Sequence, residues 1–269
     1  MIRKHHGRVI QTSVRMKTTP MKAWEAWADP QKIANWFVDR AEGEATPGST
    51  MKWFFDSFGY AMDVPIAEAV PGKSFVVSSG DHPGPDGLPY VMEITIEKDG
   101  GETVMNLVNS GFSDAPEKDE KARGVDSGWQ MALATMKLWL ERYPMRSRRH
   151  AIVVRPSTHD ADALRALFTT AAGRAAWLEP DIASSGEVLC DTGAEVLLSW
   201  DARDAAVGLK SFEMGPQRMV ALDYSCWPAE GESVDLAESK ARLTRALDRL
   251  AGANISSPAG PTALPSSAR

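Results

Sequence analysis

The sequence predicts an α+β protein in which an antiparallel sheet curves around a long C-terminal helix, and in which this arrangement occurs twice. Three observations predict it. In the first half, several strand-length runs alternate apolar and polar residues, and a long helical stripe follows them. The second half repeats much of this pattern at a nearly constant offset. The 269 residues are also enough for two domains of ordinary size.

Two short helices are expected near the start of the chain, after a strand at residues 9–17. Thr19-Pro20 and Asp29-Pro30 each combine an N-cap side chain with a proline at the first helical position. Further strands are marked by alternation at residues 50–56 and 90–97. Asp99-Gly100-Gly101 is typical of a hairpin turn into residues 103–109. The Gly- and Pro-rich residues 80–89 predict a loop.

A long amphipathic helix closes the first half at about residues 126–143, just before Pro144. Its apolar positions recur every three or four residues and include Trp129, Leu133 and Met136. A helix with one apolar stripe needs a partner surface, and the curved sheet is the only large one available. The sequence therefore predicts a helix packed on a sheet.

The second half repeats the first. Trp36 and Trp177 are 141 residues apart and close similar short helical stretches. At an offset of 145 residues, an alternating strand and the motif Glu68-x-x-Pro71 recur, the latter as Glu213-x-x-Pro216. A second amphipathic helix follows, with leucines at helical spacing from position 236 to position 250. A tandem duplication is the simplest interpretation.

The second copy is truncated. Residues 80–125 of the first copy, 46 in number, correspond to only about 12 in the second, residues 225–236. About two strands are therefore expected to be missing, and a ligand cavity is not expected there. An unprotected sheet edge tends to be covered, so this copy is expected to pack on the first domain or on another subunit.

These patterns divide the chain into a first domain (1–147), a truncated second domain (148–252) and a disordered tail (253–269) rich in Ser, Pro and Ala. The basic residues Arg146, Arg148 and Arg149 are interpreted as part of a solvated linker, with contact to a phosphate as the alternative.

Composition excludes several classes of function. A net charge of −6 argues against duplex nucleic acid as a partner. No apolar run is long enough to span a bilayer, and the N-terminus lacks the apolar core of a secretory signal. Cys190 and Cys226 cannot form a disulfide scaffold and are expected to be buried thiols. These features together predict a cytoplasmic protein.

No catalytic, metal-binding or cofactor-binding motif is present, so no catalytic residue, metal or cofactor is assigned. The best polar candidates are Asp81, His82 and Asn109, near the mouth of the expected cavity. A His beside an Asp can act as a general base. The alternative is an exposed loop pair. The Asn109 side chain can form a hydrogen bond either to a ligand or to the backbone of a turn.

A set of motifs in the first half resembles a known family. The set comprises Trp24-x-x-Trp27-x-Asp29-Pro30, Trp36-Phe37, Pro47-Gly48, Glu68-x-x-Pro71, Asn109-Ser110-Gly111-Phe112 and Gly128-Trp129. Residues 8–143 thereby resemble the activator of Hsp-90 ATPase homologue-like proteins of the START-related SRPBCC (helix-grip) superfamily. The second half looks like a truncated member of the same superfamily.

The resemblance implies a seven-stranded antiparallel sheet around the C-terminal helix, with an apolar cavity between them. Superfamily members bind lipids and other hydrophobic molecules, and some are enzymes. The expected lining is apolar, and close packing of the same side chains as a plain core is the alternative reading. The candidate lining residues are Trp53, Phe55, Met92, Ile94, Trp129, Leu133 and Met136.

Three functions follow, in order of preference. The first is non-catalytic binding of a small hydrophobic molecule in the first domain. The second is a protein-interaction or stress-response module, co-chaperone-like, with a protein partner or a homodimer through the second domain. The third is a cyclase- or hydrolase-like enzyme that uses Asp81, His82 and Asn109 in the same cavity.

Overall fold

Two antiparallel sheets, of seven and five strands, form the framework of the chain. The computed structural model describes residues 5–84, 86–180, 186–214 and 217–252, with the backbone alone at Asp81. We use "first half" for residues up to 143 and "second half" for residues from 149 onward. The predicted tail and Pro216 of the repeated motif lie outside the described residues.

The first half contains seven strands and three α-helices, in the order strand, two short helices, six strands and a long helix. Its sheet has the order β1-β7-β6-β5-β4-β3-β2, so the first strand pairs with the last. The elements are β1 (Arg8–Met16), α1 (Pro20–Ala28), α2 (Pro30–Ile33), β2 (Arg40–Glu42), β3 (Thr50–Phe55), β4 (Tyr60–Val70), β5 (Ser74–Pro83), β6 (Pro89–Asp99), β7 (Glu102–Phe112) and α3 (Asp119–Arg142).

Local sequence signals explain most of these boundaries. The Thr19 hydroxyl accepts a hydrogen bond from the Lys22 amide, and the Asp29 carboxylate accepts one from the Gln31 amide, as the two N-cap predictions require. Gly100 and Gly101 both have positive φ, of 58° and 98°, at the hairpin between β6 and β7. This backbone matches a type I′ turn, which needs positive φ at both central residues.

Two predicted boundaries differ from the structure. The loop predicted at residues 80–89 is shorter, because Pro83 pairs with Pro89 and extends the β5–β6 hairpin. The long helix begins at Asp119, about two turns before residue 126. Its first two turns have only Ala122 and Val125 as large or buried apolar residues, both packed with Ile10 and Phe112, so they carry little of the apolar stripe that marks the rest of the helix.

The second half contains five strands and three described helices. They are β8 (Arg149–Pro156), α4 (Ala161–Thr169), α5 (Ala171–Ala175), β9 (Val188–Asp191), β10 (Val196–Trp200), β11 (Ala205–Met214), β12 (Gln217–Cys226) and α6 (Leu236–Gly252). The strand order is β8-β12-β11-β10-β9. Strand β8 pairs directly with β12, whereas the first sheet has the hairpin β6–β7 between the corresponding strands. Two strands are thus missing, as the sequence predicts.

The two halves share detailed local structure. The Trp36 indole donates to the carbonyl of Ala26 at 2.8 Å, and the Trp177 indole donates to that of Leu167 at 3.2 Å. In both bonds the acceptor precedes the donor by ten residues. The two tryptophans are 141 residues apart, and so are Ala26 and Leu167. Likewise Thr19 and Asp160 cap corresponding helices. These matches support the tandem duplication, which stays a prediction.

Helix α3 lies between the two sheets and is apolar on both sides. Trp129, Leu133 and Met136 are buried toward the first sheet, but Met131, Leu138 and Trp139 are buried as well. All six belong to one apolar cluster with Leu197 and Ala206, which lie on the outer face of the second sheet, and Met131 lies against Gly208 of the same face. The second half therefore packs on the first, one of the two arrangements that the sequence predicts.

Trp227, just after β12, anchors this junction between the halves. Its ring stacks on Tyr143 with centroids 5.1 Å apart and an interplanar angle of 13°. Its indole nitrogen donates to the carbonyl of Asn35 at 2.8 Å. The Arg146 guanidinium donates to Asp204 at 2.6 Å and to the carbonyl of Trp227 at 3.1 Å. The interpretation of the basic residues as a solvated linker was therefore wrong for Arg146.

Replacing Trp227 tests the importance of this junction. We expect Trp227→Ala to lower the free energy of unfolding by about 3–5 kcal/mol, because it leaves a cavity and removes the stacking partner of Tyr143. Met145→Ala is the matched control, because Met145 lies in the same segment but is 87% exposed. It should change stability by less than about 0.5 kcal/mol. Urea unfolding measures both, and equal effects of the two substitutions would contradict the anchoring role.

Candidate ligand-binding site

A cavity of about 770 Å³ lies between the first sheet, helix α3 and the outer face of the second sheet. The first half supplies an aromatic end, and the second half supplies residues of β10, β11 and β12. Such a volume falls in the range of about 300–1,000 Å³ typical of small-molecule sites. The cavity is thus built by both halves, with α3 as a shared wall.

Aromatic side chains form the apolar end of the cavity, with Phe37 at their centre. Its ring stacks on that of Trp129, with ring centroids 5.3 Å apart. It makes edge-on contacts with the rings of Trp53 and Phe55, at centroid distances of 5.6 Å and 5.7 Å. Rings in these orientations hold one another in fixed positions and offer both faces and edges to a guest molecule. The aromatic end is therefore a rigid, shaped surface.

Exposed apolar side chains surround the opening near the tip of β3 and β4. Phe58, Tyr60 and Met62 line the cavity and are also exposed at the surface. Tyr60 stacks on Phe55, with ring centroids 4.8 Å apart, and so continues the aromatic wall outward. An apolar guest would meet a continuous apolar path from the surface to the interior.

Two polar atoms in the apolar wall lack hydrogen-bond partners. Asn109 is 1% exposed, and its carbonyl oxygen Oδ1 has no partner among the described residues. The indole nitrogen of Trp53 has none either. Burial raises the pKa of Tyr90 to about 12, against the opposing effect of its hydrogen bond with Asn109. A buried polar atom without a partner is costly, and a ligand group can relieve that cost.

A histidine between two carboxylates forms the polar end, at the junction between the halves. His150 Nδ1 lies 2.9 Å from Asp39 Oδ1, and His150 Nε2 lies 2.9 Å from Asp223 Oδ1. The three side chains are only 12%, 17% and 22% exposed, respectively. Because ionised carboxylates only accept hydrogen bonds, both ring nitrogens must donate, and the ring is an imidazolium.

The pKa shifts follow from this geometry. Burial alone would lower the pKa of His150, but the charges and hydrogen bonds of Asp223 and Asp39 outweigh it and raise that pKa. Burial would raise the pKa of Asp39, but hydrogen bonds from His150 and Ser57 lower it to about 2. Burial likewise opposes ionisation of Asp223, yet Lys210 and His150 hold its pKa well below the usual range.

Two further charged groups complete the polar end. Lys210 donates to Asp223 Oδ2 at 2.7 Å. Arg148 also lines the cavity, and its guanidinium donates to the carbonyl of Val38 at 2.6 Å. Arg148 is thus half-buried inside the protein, and its interpretation as part of a solvated linker was wrong. Burial lowers the pKa of Arg148, and Asp223 and Asp39 only partly offset this.

The structure separates the predicted site residues into two groups. Trp53, Phe55, Trp129 and Asn109 line the cavity. Met92, Ile94, Leu133 and Met136 are buried in the core and do not line it. Helix α1 packs on β5 and β6, where its Trp27 contacts Phe75, the partner of Ile94 in the sheet.

The predicted polar pair at the mouth does not come together with Asn109. His82 is exposed near the end of β5 and does not line the cavity, whereas Asn109 is buried in its wall. The side chain of Asp81 lies outside the described residues. Cys226 is buried, Cys190 is half-buried, and both are free thiols.

Of the polar end, the sequence analysis named only Arg148, and it did not predict that these charged residues meet. Asp39, Arg148, His150, Lys210 and Asp223 come from distant parts of the chain and carry no shared motif. One signal was available: β11 and β12 place Lys210 and Asp223 among mostly apolar or small residues on the outer face of their sheet. Charges on the face of a mostly buried strand indicate a polar partner.

Within the described residues, no cluster of three or more His, Cys, Asp or Glu side chains could hold a metal ion. Nor does any helix in the described ranges have the length and apolar character needed to cross a membrane.

Comparison with known proteins identifies the first half. Residues 17–141 match the family model described as Activator of Hsp90 ATPase homolog 1-like protein. The family resemblance inferred from the motifs is thereby confirmed. No curated protein matches the chain in sequence.

Several solved structures are similar to parts of the chain. Protein SSP2350 from Staphylococcus saprophyticus is 18% identical, covers 50% of this chain and 93% of its own, and has a TM-score of 0.44. The Aha1 dimer from Colwellia psychrerythraea is 20% identical, covers 50% of this chain and 97% of its own, and has a TM-score of 0.44. DynU16, from the dynemicin biosynthetic locus, is 16% identical, covers 91% of this chain and 98% of its own, and has a TM-score of 0.42. At these identities and TM-scores the likeness implies no shared ligand or activity.

The histidine bridge predicts a specific pH dependence of stability. Because folding raises the pKa of His150, its contribution is complete below the pKa of about 6.5 of an unfolded histidine, and is lost as pH rises through the folded pKa. The wild-type protein should therefore lose stability from pH 6 upward. Urea unfolding between pH 5.5 and 9 measures this loss.

The variant His150→Gln lacks the titrating group and is the matched comparison. Its loss of stability toward pH 9 should be smaller than that of the wild type, because the raised pKa of His150 no longer contributes. If wild type and variant lose stability in parallel, His150 does not carry the effect.

Proposed function

Starting from the family match of residues 17–141, we propose that this protein binds a small, mainly apolar molecule in the cavity between its two halves. The observation that carries the proposal is the cavity of about 770 Å³, whose walls are largely aromatic at one end and charged at the other. Pockets with apolar walls and a few placed polar groups are the usual form of small-molecule sites.

The energetics favour a ligand that matches both ends. Burying about 500 Å² of ligand and wall together gains roughly 12 kcal/mol, at about 25 cal/mol per Å² of apolar surface. Association costs about 4–15 kcal/mol in lost freedom of motion. Apolar contact alone therefore leaves little net affinity, and polar groups must add to it.

The unpartnered atoms in the wall supply one source of added affinity. Among the residues that the structure describes, Asn109 Oδ1 is an acceptor without a donor, and Trp53 Nε1 is a donor without an acceptor. A ligand hydroxyl can serve either atom after a small side-chain adjustment. These two groups would fix the orientation of a ligand that the aromatic rings hold by contact.

The other functions are less well supported. His82 is exposed and does not line the cavity, so it is not placed against a molecule bound there. A co-chaperone-like or stress-response role rests on the family description alone. The proposal is for a lipid-like or aromatic ligand, without catalysis and with a cytoplasmic location.

Binding of a neutral fluorescent probe tests the proposal. N-phenyl-1-naphthylamine is apolar and aromatic, and its emission increases in an apolar site. We expect saturable binding to the full chain, with one probe per chain and a higher melting temperature.

Two glycines of α3 provide matched variants. Gly124 and Gly128 are one turn apart, and an added Cβ meets no atom within 4 Å at either position. Of these two glycines, only Gly128 lines the cavity. We expect Gly128→Phe to weaken probe binding at least about tenfold by occupying the space, and Gly124→Phe to leave it unchanged. Equal binding by both variants would place the probe elsewhere, and absence of binding to the wild type would refute the proposal.

A further inference from the structure

We propose that the ligand carries a carboxylate, and that Arg148 binds this group at the polar end of the cavity. This inference rests on the proposed function and specifies the class of ligand. The apolar part of the molecule would lie among the aromatic rings of the first half, and its anionic end would face the junction between the halves.

Arg148 is held in place at the cavity wall by the backbone around it. Its main-chain amide donates to Asn35 Oδ1 at 3.2 Å, and its guanidinium donates to the carbonyl of Val38 at 2.6 Å. Both partners lie in the segment between α2 and β2. The side chain is therefore fixed before any ligand arrives, which reduces the entropy lost on binding.

The guanidinium has no carboxylate partner within the described part of the chain. No Asp or Glu oxygen lies within 4.0 Å of it there, and its one side-chain hydrogen bond is to a neutral carbonyl. A guanidinium has five N–H donors in a planar fork. Most of these donors remain available at a cavity wall.

The neighbouring carboxylates, in contrast, are already paired. Asp223 accepts from His150 at one oxygen and from Lys210 at the other. Asp39 accepts from His150 and from the Ser57 amide. These carboxylates pair with Lys210 and the imidazolium, so among the described lining residues at this end Arg148 is the charged group without an oppositely charged partner.

A single carboxylate fits this site better than other charged groups. Its two oxygens match the fork of one guanidinium, and such a pair is strong where water is excluded. A dianionic phosphate would add a second negative charge close to Asp39 and Asp223, and an ammonium group would meet the unpaired guanidinium. Both therefore carry a repulsion that the carboxylate avoids.

A series of matched probes tests the inference with the full chain. The compounds 4-(1-pyrenyl)butanoic acid, 4-(1-pyrenyl)butanol and 4-(1-pyrenyl)butylamine share one aromatic body and differ in the end group. We expect the acid to bind at least about tenfold more tightly than the alcohol at pH 7, and the amine most weakly. Titration by pyrene fluorescence at 0.15 M salt gives the three Kd values.

Variants assign the preference to Arg148. Arg148→Gln should reduce the ratio of acid affinity to alcohol affinity to near one. Arg149→Gln is the matched control, because Arg149 is the exposed neighbour and does not line the cavity. This substitution removes the same charge as Arg148→Gln and should leave the ratio of acid affinity to alcohol affinity unchanged. If Arg148→Gln does not fold, Arg148→Lys keeps the charge without the fork and should lower the ratio in part.

The outcomes separate the two proposals. Equal Kd values for acid and alcohol in the wild type would overturn the carboxylate inference and leave the ligand-binding function standing. A preference that survives Arg148→Gln, or that disappears in Arg149→Gln, would also overturn it. If none of the three probes binds and N-phenyl-1-naphthylamine does not bind either, the proposed function fails together with the inference.

Discussion

The structure depends on one constraint: helix α3 is apolar on two sides and must be covered on both. Trp129 packs on Trp27 and Phe37 of the first half, whereas Met131 lies against Gly208 of the second sheet. Leu133, Met136, Leu138 and Trp139 are buried in the same apolar cluster. Either sheet alone would leave several of these large side chains in water, at about 1.5–3 kcal/mol each. The two halves are therefore joined through a shared helix.

The shared helix also explains why the cavity and the charged cluster occur together. The second sheet approaches α3 through small residues such as Ala206 and Gly208, which leave space that the first sheet does not fill. Where the outer face of this sheet turns from small to charged, Lys210 and Asp223 need partners, and His150 links Asp223 to Asp39 of the first half. One interface thus supplies an apolar space and a polar end.

The sequence predicted the local elements well, for reasons that concern near neighbours. The caps at Thr19 and Asp29, the hairpin at Gly100 and the loss of two strands each follow from residues close together in the chain. The division of the apolar residues into cavity wall and solid core did not follow. Trp53 and Ile94 have the same alternating pattern, but Ile94 lies opposite Phe75, which packs on Trp27 of α1.

By itself, then, the sequence determined the order of strands and helices and the family resemblance of the first half, because periodicity, capping and turn chemistry act over a few residues. Tertiary structure alone decided where empty space remains and which charges meet. Asp39 and Asp223 are 184 residues apart, and nothing in either local sequence indicates the other. Their pairing through His150 results from the packing of the second sheet on α3, which brings the outer face of that sheet against the first half.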